Sequence, residues 1–443
     1  MNIHQLTINK AVNGGYGLGR MDDGRAVMVR HALPGETVDV RIERETPSYL
    51  EGVATRVYAS HPGRIAPPCP YYGRCGGCDL QHGDYPCQLA VKREIIADLL
   101  QRHAGPAVHR AISVLAEPLP SPLAFGYRQR IRLQVDERGR PGFRRFHSRE
   151  IVPVARCLIA RDDVNLPLAT LVPHPAASSL LQQTAELEIM ADPGSGKTVC
   201  IFILKRRPRP RDFDHALLLC RDLAPIDRIF FHGEGFPLTP AAGSDRQISR
   251  LLSVTYPAEK ARPAMTLAWE AGGFSQVNLE QNRRLIATVC SFAAPAEEDT
   301  VLDLFCGMGN FSVPLAMSCR RLLGIEGQGS AIRSARANAV RAGLENSEFR
   351  QAQVHAACDQ LAAQGAVFDC VVIDPPRQGA PGLAGQLVAI TRRRLVYISC
   401  DPATLVRDLG DLVAAGFAIR RLQPVDMFPQ THHIETVALL EKN

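Results

Sequence analysis

Three cysteines lie within ten residues of one another, at positions Cys69, Cys75 and Cys78. Thiolates so close in sequence, in a loop rich in glycine and proline, can bind one metal centre. A tetra-thiolate site needs a fourth ligand, for which Cys157 is the best candidate and Cys87 the second. Zinc sites usually pair two short cysteine motifs, and only one is present here, so the pattern favours a [4Fe–4S] cluster over zinc.

Cys400 is a second thiol with chemical potential. It follows the apolar run 395–399 and precedes Asp401-Pro402, a pattern that predicts a buried strand, a turn and a helix. A thiol just ahead of a helix N-terminus is in a position that lowers its pKa and makes it a nucleophile. The alternative is a small buried cysteine that fills the corner. Glu435 begins the last predicted strand and is either a general base or a surface carboxylate beside two histidines.

The stretch 303–310, DLFCGMGN, follows a predicted strand and opens a helix. Glu326 ends the next predicted strand, where an acid can accept hydrogen bonds from ribose hydroxyls. The loop has a single Gly-x-Gly and is not a dinucleotide signature, so S-adenosylmethionine fits better than NAD. Asp374 closes the fourth strand, and we expect its carboxylate to face the same crevice as Cys400.

These residues require particular elements to position them. Residues from about 263 onwards alternate strands and helices, which predicts a doubly wound α/β sheet whose carboxyl edge collects the candidate residues. Residues 1–62 contain short β-branched runs separated by glycine turns, typical of a small OB-like β-barrel. Residues 63–262 are predicted to form a central α+β domain that carries the cysteine loop. Its helix, predicted over 88–103, is expected to pack on the catalytic domain.

The positive charge of the chain is concentrated in two stretches. The net charge is +6, and residues 126–157 alone contain nine arginines against three acids. Residues 205–211, KRRPRPR, add five basic residues and no acid. In the predicted strand 127–135, a period of two places Arg128, Arg130 and Arg132 on one face. Clustered arginine favours a nucleic-acid partner over a merely solvated surface.

Composition excludes several other classes of protein. The 443 residues, 46% hydrophobic and 22% charged, are typical of a globular protein with two to four domains. The thirteen cysteines are odd in number and scattered, which argues against a secreted disulfide scaffold. No apolar run reaches the length of a membrane span or a signal peptide, so we expect a soluble, cytoplasmic protein. Residues 191–198, ADPGSGKT, end like a phosphate-binding loop but lie between two strand-like runs, which predicts a hairpin and not an NTPase.

Several segments together resemble the RNA uracil-C5 methyltransferases, over nearly the whole chain and most closely the branch that acts on 23S ribosomal RNA. They are CPYYGRCGGCDLQH, GGFSQVN, LDLFCGMGNFSVPLA, VVIDPPR, YISCDPATLVRD and HHIETVALL. The resemblance implies an N-terminal TRAM barrel, an iron–sulfur central domain and a Rossmann-like catalytic domain. It implies S-adenosylmethionine and a [4Fe–4S] cluster as cofactors and 23S ribosomal RNA as the partner, and we expect a monomer.

The resemblance also implies roles for individual residues. The cluster ligands would be Cys69, Cys75, Cys78 and Cys157, the nucleophile Cys400 and the general base Glu435. Contacts to S-adenosylmethionine would come from Gln276, Phe305, Asn310, Glu326 and Asp374, and also from Gln353, where the family often has Asn. The thiolate would add to C6 of uracil, C5 would take the methyl group, and the base would remove the C5 proton.

Two other functions compete with this interpretation. A transfer-RNA uracil-C5 methyltransferase is the nearest, but such relatives generally lack both the barrel and the cluster, so residues 1–78 argue against it. A non-catalytic iron–sulfur factor for RNA binding or ribosome assembly is the second, and the presence of Cys400 and Glu435 argues against that one.

Overall fold

The N-terminal part of the chain forms a six-stranded sheet. The computed structural model describes residues 3–103, 105–243, 248–258 and 263–443. The strands are β1 (Ile3–Thr7), β2 (Lys10–Val12), β3 (Tyr16–Arg20), β4 (Ala26–Arg30), β5 (Thr37–Glu45) and β6 (Tyr49–Ala59), in the order β1-β5-β6-β4-β3-β2. Alternate side chains such as Val27, Val29, Val38 and Val40 are fully buried in a core of their own, because successive strand residues point to opposite faces. The β structure predicted for this region is confirmed.

A loop containing three of the candidate cysteines leads from β6 into helix α1 (Tyr85–Arg102). Asp84 caps this helix by accepting a hydrogen bond from the backbone N–H of Cys87 at 2.8 Å. The buried face of α1, which includes Ile95 and Ile96, belongs to the same core as Leu395 and other residues of the C-terminal sheet. Helix α1 therefore packs on the C-terminal unit. A short helix, α2 (Pro106–Arg110), and a 3-10 turn, Ala111–Val114, follow it.

The central part of the chain builds a seven-stranded sheet with three helices. Its elements are β7 (Arg130–Val135), β8 (Pro141–Arg144), β9 (Ile151–Pro153), α3 (Asp162–Leu171), α4 (Pro175–Gln182), β10 (Thr184–Asp192), β11 (Lys197–Leu204), α5 (Pro210–Asp222), β12 (Ile226–Gly233) and β13 (Phe236–Gly243). The strand order is β13-β12-β11-β10-β7-β8-β9. Strands β10 and β11 form an antiparallel hairpin in which Asp192 lies opposite Lys197. The predicted hairpin is therefore confirmed, since no helix follows the glycine-rich turn as an NTPase loop requires.

The predicted alternation of β7 is also confirmed. Ile131 and Leu133 are buried, and Arg130 and Arg132 lie on the opposite face. Both arginines form ion pairs with acids of the neighbouring strand β10, Arg130 with Glu188 and Arg132 with Glu186. The strand is therefore not a surface of free guanidinium groups, because the adjacent strand supplies a carboxylate to each.

Along the sequence, a two-stranded sheet follows the central sheet and precedes the C-terminal sheet. Strand β14 (Leu251–Tyr256) pairs antiparallel with β15 (Met265–Glu270). Leu252, Val254 and Tyr256 share a core with residues of the C-terminal sheet such as Val301. This hairpin therefore packs with the C-terminal sheet, although β14 lies before residue 263.

The C-terminal part of the chain is an α/β unit with helices on both faces of a seven-stranded sheet. Its elements are α6 (Leu279–Ala293), β16 (Thr300–Leu304), α7 (Ser312–Ala316), β17 (Arg321–Glu326), α8 (Gly329–Arg341), β18 (Ser347–Gln351), α9 (Val354–Ala363), β19 (Phe368–Ile373), α10 (Ala384–Ile390), β20 (Thr391–Ser399), α11 (Pro402–Ala415), β21 (Phe417–Val425) and β22 (Glu435–Lys442). The strand order is β18-β17-β16-β19-β20-β22-β21. The first five strands are parallel, and β22 is antiparallel to both of its neighbours.

The parallel sheet predicted from the sequence is thus confirmed, with one antiparallel strand near its end. The strand order reverses between β16 and β19, where such sheets open a crevice for ligands at their carboxyl edge. Among the described helices, none is both long and apolar enough to cross a membrane.

Candidate active site and cysteine cavity

Cys400 and Glu435 are brought together by the pairing of two strands. Ser399, the last residue of β20, pairs with Thr436 of β22, so the residues that adjoin this pair, Cys400 and Glu435, are neighbours across the ladder. Asp401 then caps α11 by accepting hydrogen bonds from the backbone N–H groups of residues 403 and 404, at 3.0 and 2.9 Å. Strand, thiol and capped helix follow one another as the sequence predicts.

The electrostatic environment of Cys400 differs from the expectation. Burial, together with the carboxyl groups of Glu435 and Asp374, raises the pKa of the Cys400 thiol to about 12. Arg377 and the backbone act in the opposite direction but do not compensate. The expected lowering of this pKa by the helix N-terminus is therefore wrong, because desolvation of a thiolate and two nearby carboxyls outweigh it. The thiol is protonated at neutral pH in the free protein.

Three carboxyl groups in this region have raised pKa values. Burial and the charge of Asp303 raise the pKa of Asp374 to about 7. Burial and the charge of Asp374 raise the pKa of Glu435 well above its usual range. Burial also raises the pKa of Asp303 to about 7, although the hydroxyl of Ser312 donates a hydrogen bond to it. These groups repel one another when they are ionised. Together they therefore carry less negative charge at neutral pH than three separate carboxylic acids would.

Asp303 belongs to the 303–310 motif, but the motif by itself assigns it no role. Its Oδ1 is buried and has no hydrogen-bond partner among the described residues. The signal available in the sequence is an acid inside an otherwise apolar strand, TVLDL. Such an acid is costly to bury and is therefore a candidate functional group.

The glycine loop, residues 303–310, lies next to Glu326. The carboxylate of Glu326 accepts hydrogen bonds from the backbone N–H of Gly307 at 3.3 Å and of Gln328 at 2.8 Å. Gly307 has φ +55°, and a Cβ built on it would meet no atom within 4 Å. Phe305 also has a positive φ, +59°. Open space in front of a glycine, next to a partly satisfied carboxylate, fits the ribose of a nucleoside cofactor.

Asn310 and Gln353 are two further residues predicted to bind the cofactor. The side-chain amide of Asn310 exchanges two hydrogen bonds with that of Asn282, at 2.9 and 3.1 Å. The amide of Gln353 lies beside Gly327, next to Glu326, at the same edge of the sheet.

Gln276 is held by the central part of the chain. It is buried in the loop before α6, and its backbone carbonyl oxygen accepts a hydrogen bond from the side-chain amide of Gln129 at 2.8 Å. Gln129 directly precedes strand β7. The central sheet thus positions one of the predicted cofactor contacts.

The four predicted cluster cysteines line one cavity of about 330 Å³. They are Cys69, Cys75, Cys78 and Cys157. Burial raises the pKa of Cys75 to about 11, and the charges of Cys157 and Cys69 contribute to this shift, so these thiols interact electrostatically. Cys87, the second candidate for the fourth ligand, lies outside the cavity and beside His61, with Sγ 3.7 Å from Nδ1.

Within the described part of the chain, no group of three or more His, Cys, Asp or Glu side chains has the geometry of a formed metal site. The donor set nevertheless fits a thiolate-bound centre, since four thiols line one cavity together with arginine side chains. One of these arginines is Arg128, whose Nε is buried without a hydrogen-bond partner among the described residues. A cationic group beside thiols stabilises their ionised form.

Two residues of this cavity, Arg128 and His433, are not expected there from the sequence. The sequence predicts Arg128 on an RNA-facing strand, but its guanidinium lies over the ring of Phe428, 5.7 Å from the centroid. His433 adjoins the same ring edge to face, with centroids 5.9 Å apart. No local pattern could reveal this arrangement, because the two residues are more than 300 positions apart.

Comparisons with known proteins match both ends of the chain to families. The family model described as tRNA (uracil-5-)-methyltransferase matches residues 260–443, and that of the TRAM domain matches residues 5–55. The solved structure of a tRNA (uracil-54, C5)-methyltransferase from Pyrococcus abyssi, in complex with S-adenosyl-L-homocysteine, superposes with a TM-score of 0.69. It is 22% identical and covers 98% of this chain and 100% of its own. The two folds match over nearly the full length, so a fold like that of the N-terminal region does not by itself separate the two kinds of enzyme.

Curated relatives are similar over almost the whole chain. The 23S rRNA (uracil(1939)-C(5))-methyltransferase RlmD of Pseudomonas putida is 35% identical over 99% of this chain and 93% of its own. The protein of the same name from Aeromonas salmonicida is 32% identical over 99% of this chain and 96% of its own. With the methyltransferase and TRAM matches, this similarity shows that the chain belongs to the RNA (uracil-C5)-methyltransferase family of S-adenosylmethionine-dependent enzymes.

Proposed function

We propose that this protein methylates C5 of a uridine in 23S ribosomal RNA and gives 5-methyluridine. The observation that carries the proposal is Cys400 beside Glu435 across the β20–β22 ladder, in a chain that matches relatives named for this reaction over 99% of its length. A thiol can add to a carbon of an electron-poor ring, and a carboxylate beside it can then remove a proton from the neighbouring ring carbon.

The reaction follows from the weak nucleophilicity of C5. Sγ of Cys400 forms a bond to C6 of uracil, and the displaced electron pair makes an enolate that activates C5. S-adenosylmethionine, when bound, supplies to C5 the methyl group of its sulfonium. Glu435 then takes the proton from C5, the C5–C6 double bond re-forms, and Cys400 leaves as a thiolate.

The pKa values give each group a part in this sequence of steps. Because the Cys400 thiol, with its raised pKa, is protonated at neutral pH, its proton must leave before or during attack. Asp374, with a pKa of about 7, is a carboxyl near Cys400 that can be ionised at that pH, and we assign it as the first acceptor. The raised pKa of Glu435 makes it a stronger acceptor for a carbon-bound proton once it is ionised. Gln276 or Asp374 would hold the polar edge of the uracil ring.

Six residues are proposed to hold S-adenosylmethionine. They are Gln276, Phe305, Asn310, Glu326, Gln353 and Asp374. The support is the open space at Gly307 and the carboxylate of Glu326, which has lone pairs left for ribose hydroxyls. For Asn310, the pairing with Asn282 implies that the cofactor contact uses the remaining capacity of the amide.

Cys69, Cys75, Cys78 and Cys157 are proposed to hold a [4Fe–4S] cluster. The support is their common cavity and the guanidinium of Arg128 at its wall. The methyl transfer requires no electron transfer, so we assign the centre a structural role. Replacing Cys69 by Ser should remove the iron content and the visible absorbance of the purified protein, whereas Cys87→Ser should leave both unchanged. Full iron retention in the Cys69 variant would reject its ligation.

The RNA is proposed to contact the N-terminal sheet and the basic surface next to it. Arg144, Arg145 and Arg149 are exposed at the end of β8 and in the β8–β9 connection. Phe146, in the same connection, stacks under Arg30 of the N-terminal sheet at 4.4 Å. Basic and aromatic groups at the junction of two units suit phosphates and unpaired bases. The target base must leave its stack to reach a half-buried thiol, at a cost of a few kcal/mol that such contacts offset.

The domain organisation is proposed as an OB-like barrel over 1–62, an iron–sulfur α+β domain over 63–262 and the methyltransferase domain over 263–443, in a cytoplasmic monomer. The pairing of β14 with β15 supports moving the last boundary ahead of Leu251, because both strands pack with the C-terminal sheet.

The test compares purified wild type with Cys400→Ala on a 23S ribosomal RNA fragment and on transfer RNA, with 5-methyluridine mapped in each. We expect wild type to methylate the ribosomal fragment and the variant to lose methylation while it still binds S-adenosylmethionine. Cys220→Ala, at another half-buried cysteine in helix α5, is the matched control and should keep activity. Full activity of Cys400→Ala would overturn the nucleophile.

The same experiment separates the competing functions. Methylation of transfer RNA alone would favour the reaction for which the family model that matches residues 260–443 is named. RNA binding without methylation of either substrate would favour a non-catalytic factor.

A further inference from the structure

The residues just before Glu435 form an irregular segment, 426–434, that connects β21 to β22. Its carbonyl oxygens accept hydrogen bonds from other parts of the chain. Lys92 donates to the oxygen of Phe428 at 3.0 Å, and the hydroxyl of Tyr127 donates to that of Pro429 at 2.9 Å. Because this segment forms neither a helix nor a strand, these outside partners contribute to its conformation together with hydrogen bonds inside the segment.

The loop that carries the cysteines also holds segment 426–434. The backbone N–H groups of Asp79 and Leu80, which follow Cys78 directly, both donate to the carbonyl oxygen of Gln430 at 3.1 Å. The carboxylate of Asp79 also hydrogen-bonds to Nδ1 of His432. Three contacts therefore join the cysteine loop to a segment that ends beside Glu435.

The N-terminal sheet packs against the same point. A Cβ built on Gly15 would lie 2.7 Å from Cβ of His432, and Gly15 has φ +75°. No larger residue fits there without movement, so the backbone of the β2–β3 turn lies directly on this histidine. His432 is thus where the N-terminal sheet, the cysteine loop and the segment leading to Glu435 meet.

We propose that the Asp79–His432 pair is a positioning contact that holds Glu435 in place for removal of the C5 proton. The inference rests on the proposed function. Asp79 and His432 do not touch the reacting atoms. They fix segment 426–434. The strand that follows this segment, β22, begins with Glu435, three residues after His432.

This role predicts a defect in one step of the reaction only. Attack by Cys400 does not need Glu435, whereas release of the methylated product does. Asp79→Ala and His432→Ala should therefore form the covalent adduct normally but resolve it slowly. The double variant should be no slower than either single variant, because both changes break the same contact.

The experiment measures the steps separately. With RNA that contains 5-fluorouridine, C5 has no proton to remove, so trapping in the presence of S-adenosylmethionine reports only the steps that precede proton removal. With ordinary RNA and S-adenosylmethionine, accumulation of a methylated protein–RNA adduct reports slow release. We expect trapping within about twofold of wild type and release at least about tenfold slower.

Asp222→Ala is the control, because Asp222 forms a partly exposed pair with His174 at 3.4 Å in the central domain, together with an ion pair to Arg221 at 2.7 Å. It should behave as wild type in both assays. Iron content and S-adenosylhomocysteine binding, measured on every variant, should be unchanged. Normal release by Asp79→Ala and His432→Ala, or equal slowing of all steps, would overturn the inference. Absence of trapping in wild type would instead overturn the proposed function.

Discussion

At the scale of single residues, the active site contains a thiol and carboxyl groups whose raised pKa values favour their uncharged forms. Burial and neighbouring carboxyls raise the pKa of the Cys400 thiol and hold it in its protonated form, and Asp303 and Asp374 have pKa values of about 7. Ionisation of these groups therefore depends on pH across the neutral and alkaline range.

The rate of Cys400 attack should rise with pH. Because Asp374, with a pKa of about 7, is assigned as the acceptor of the thiol proton, attack requires this carboxyl group to be ionised. Trapping of 5-fluorouridine RNA, followed under single-turnover conditions, should therefore speed up from about pH 6 to about pH 8 and level off above that range. A trapping rate that does not change between these pH values would contradict Asp374 as the acceptor.

Asp303→Asn should stabilise the protein at pH 8. The folded-state pKa of about 7 lies above the ordinary value of 3.8, so the native state binds more protons than the unfolded state between these values. The associated stability is complete below the ordinary value and is lost as the pH rises through the folded-state pKa. Asn removes this loss, with a gain on the order of 4 kcal/mol at pH 8 that falls to less than half towards pH 5. Thermal unfolding of wild type and variant at pH 8 and at pH 5 measures this gain in stability. An equal gain at both pH values would contradict the raised pKa of Asp303.

At the scale of elements, the carboxyl edge of the C-terminal sheet collects the chemistry because several strands end there. β16 ends before Phe305, β17 at Glu326, β19 before Asp374 and β20 before Cys400. The antiparallel strand β22 begins at the same edge and so delivers Glu435 from the opposite chain direction.

The cap of α11 should matter to the stability of the element that follows the thiol. Asp401→Ala removes the acceptor of two backbone N–H groups and should cost about 1 kcal/mol. Asp401→Ser, which can still cap, should cost less. Thermal unfolding of the two variants gives the comparison, and equal losses would show that the cap contributes nothing.

At the scale of the whole molecule, helix α1 ties the central region to the catalytic unit. Nζ of Lys92 lies 2.5 Å from Oδ1 of Asp426, and their side chains are 1% and 0% exposed. The hydroxyl of Tyr85 donates a second hydrogen bond to Asp426 at 2.9 Å. A fully buried charge pair needs both partners, because either one alone is left uncompensated.

Lys92→Met should therefore destabilise the protein strongly, by about 3 to 5 kcal/mol. Adding Asp426→Asn to this variant should recover part of the loss, because the buried charge is then removed. Lys10→Met, which breaks a pair in which the lysine is 36% exposed, should cost less than about 1 kcal/mol. Chemical unfolding of the three variants measures the series, and a Lys92 variant as stable as the Lys10 variant would contradict it.

The sequence by itself determined the fold class, the local patterns of several strands and helices, and the types of the chemical groups. Alternation of apolar residues in β7, the strand–glycine loop–helix pattern at 303–310 and the Asp401 cap are local, so neighbouring residues specify them. The spacing of Cys69, Cys75 and Cys78 likewise pointed to thiols that line one cavity, and Cys157, the best candidate for the fourth ligand, lines the same cavity.

Only the tertiary structure decided the electrostatics and the long-range contacts. Burial raises the pKa of Cys400, and Glu435 and Asp374, which come from other parts of the sheet, add to the shift, so no local pattern contains that information. Arg128 lies at the cysteine cavity although it is 50 residues from Cys78 along the chain, and Asp79 meets His432 although 353 residues separate them. Burial and Coulomb interactions depend on distance in space and not on distance along the chain, so they appear only once the fold is formed.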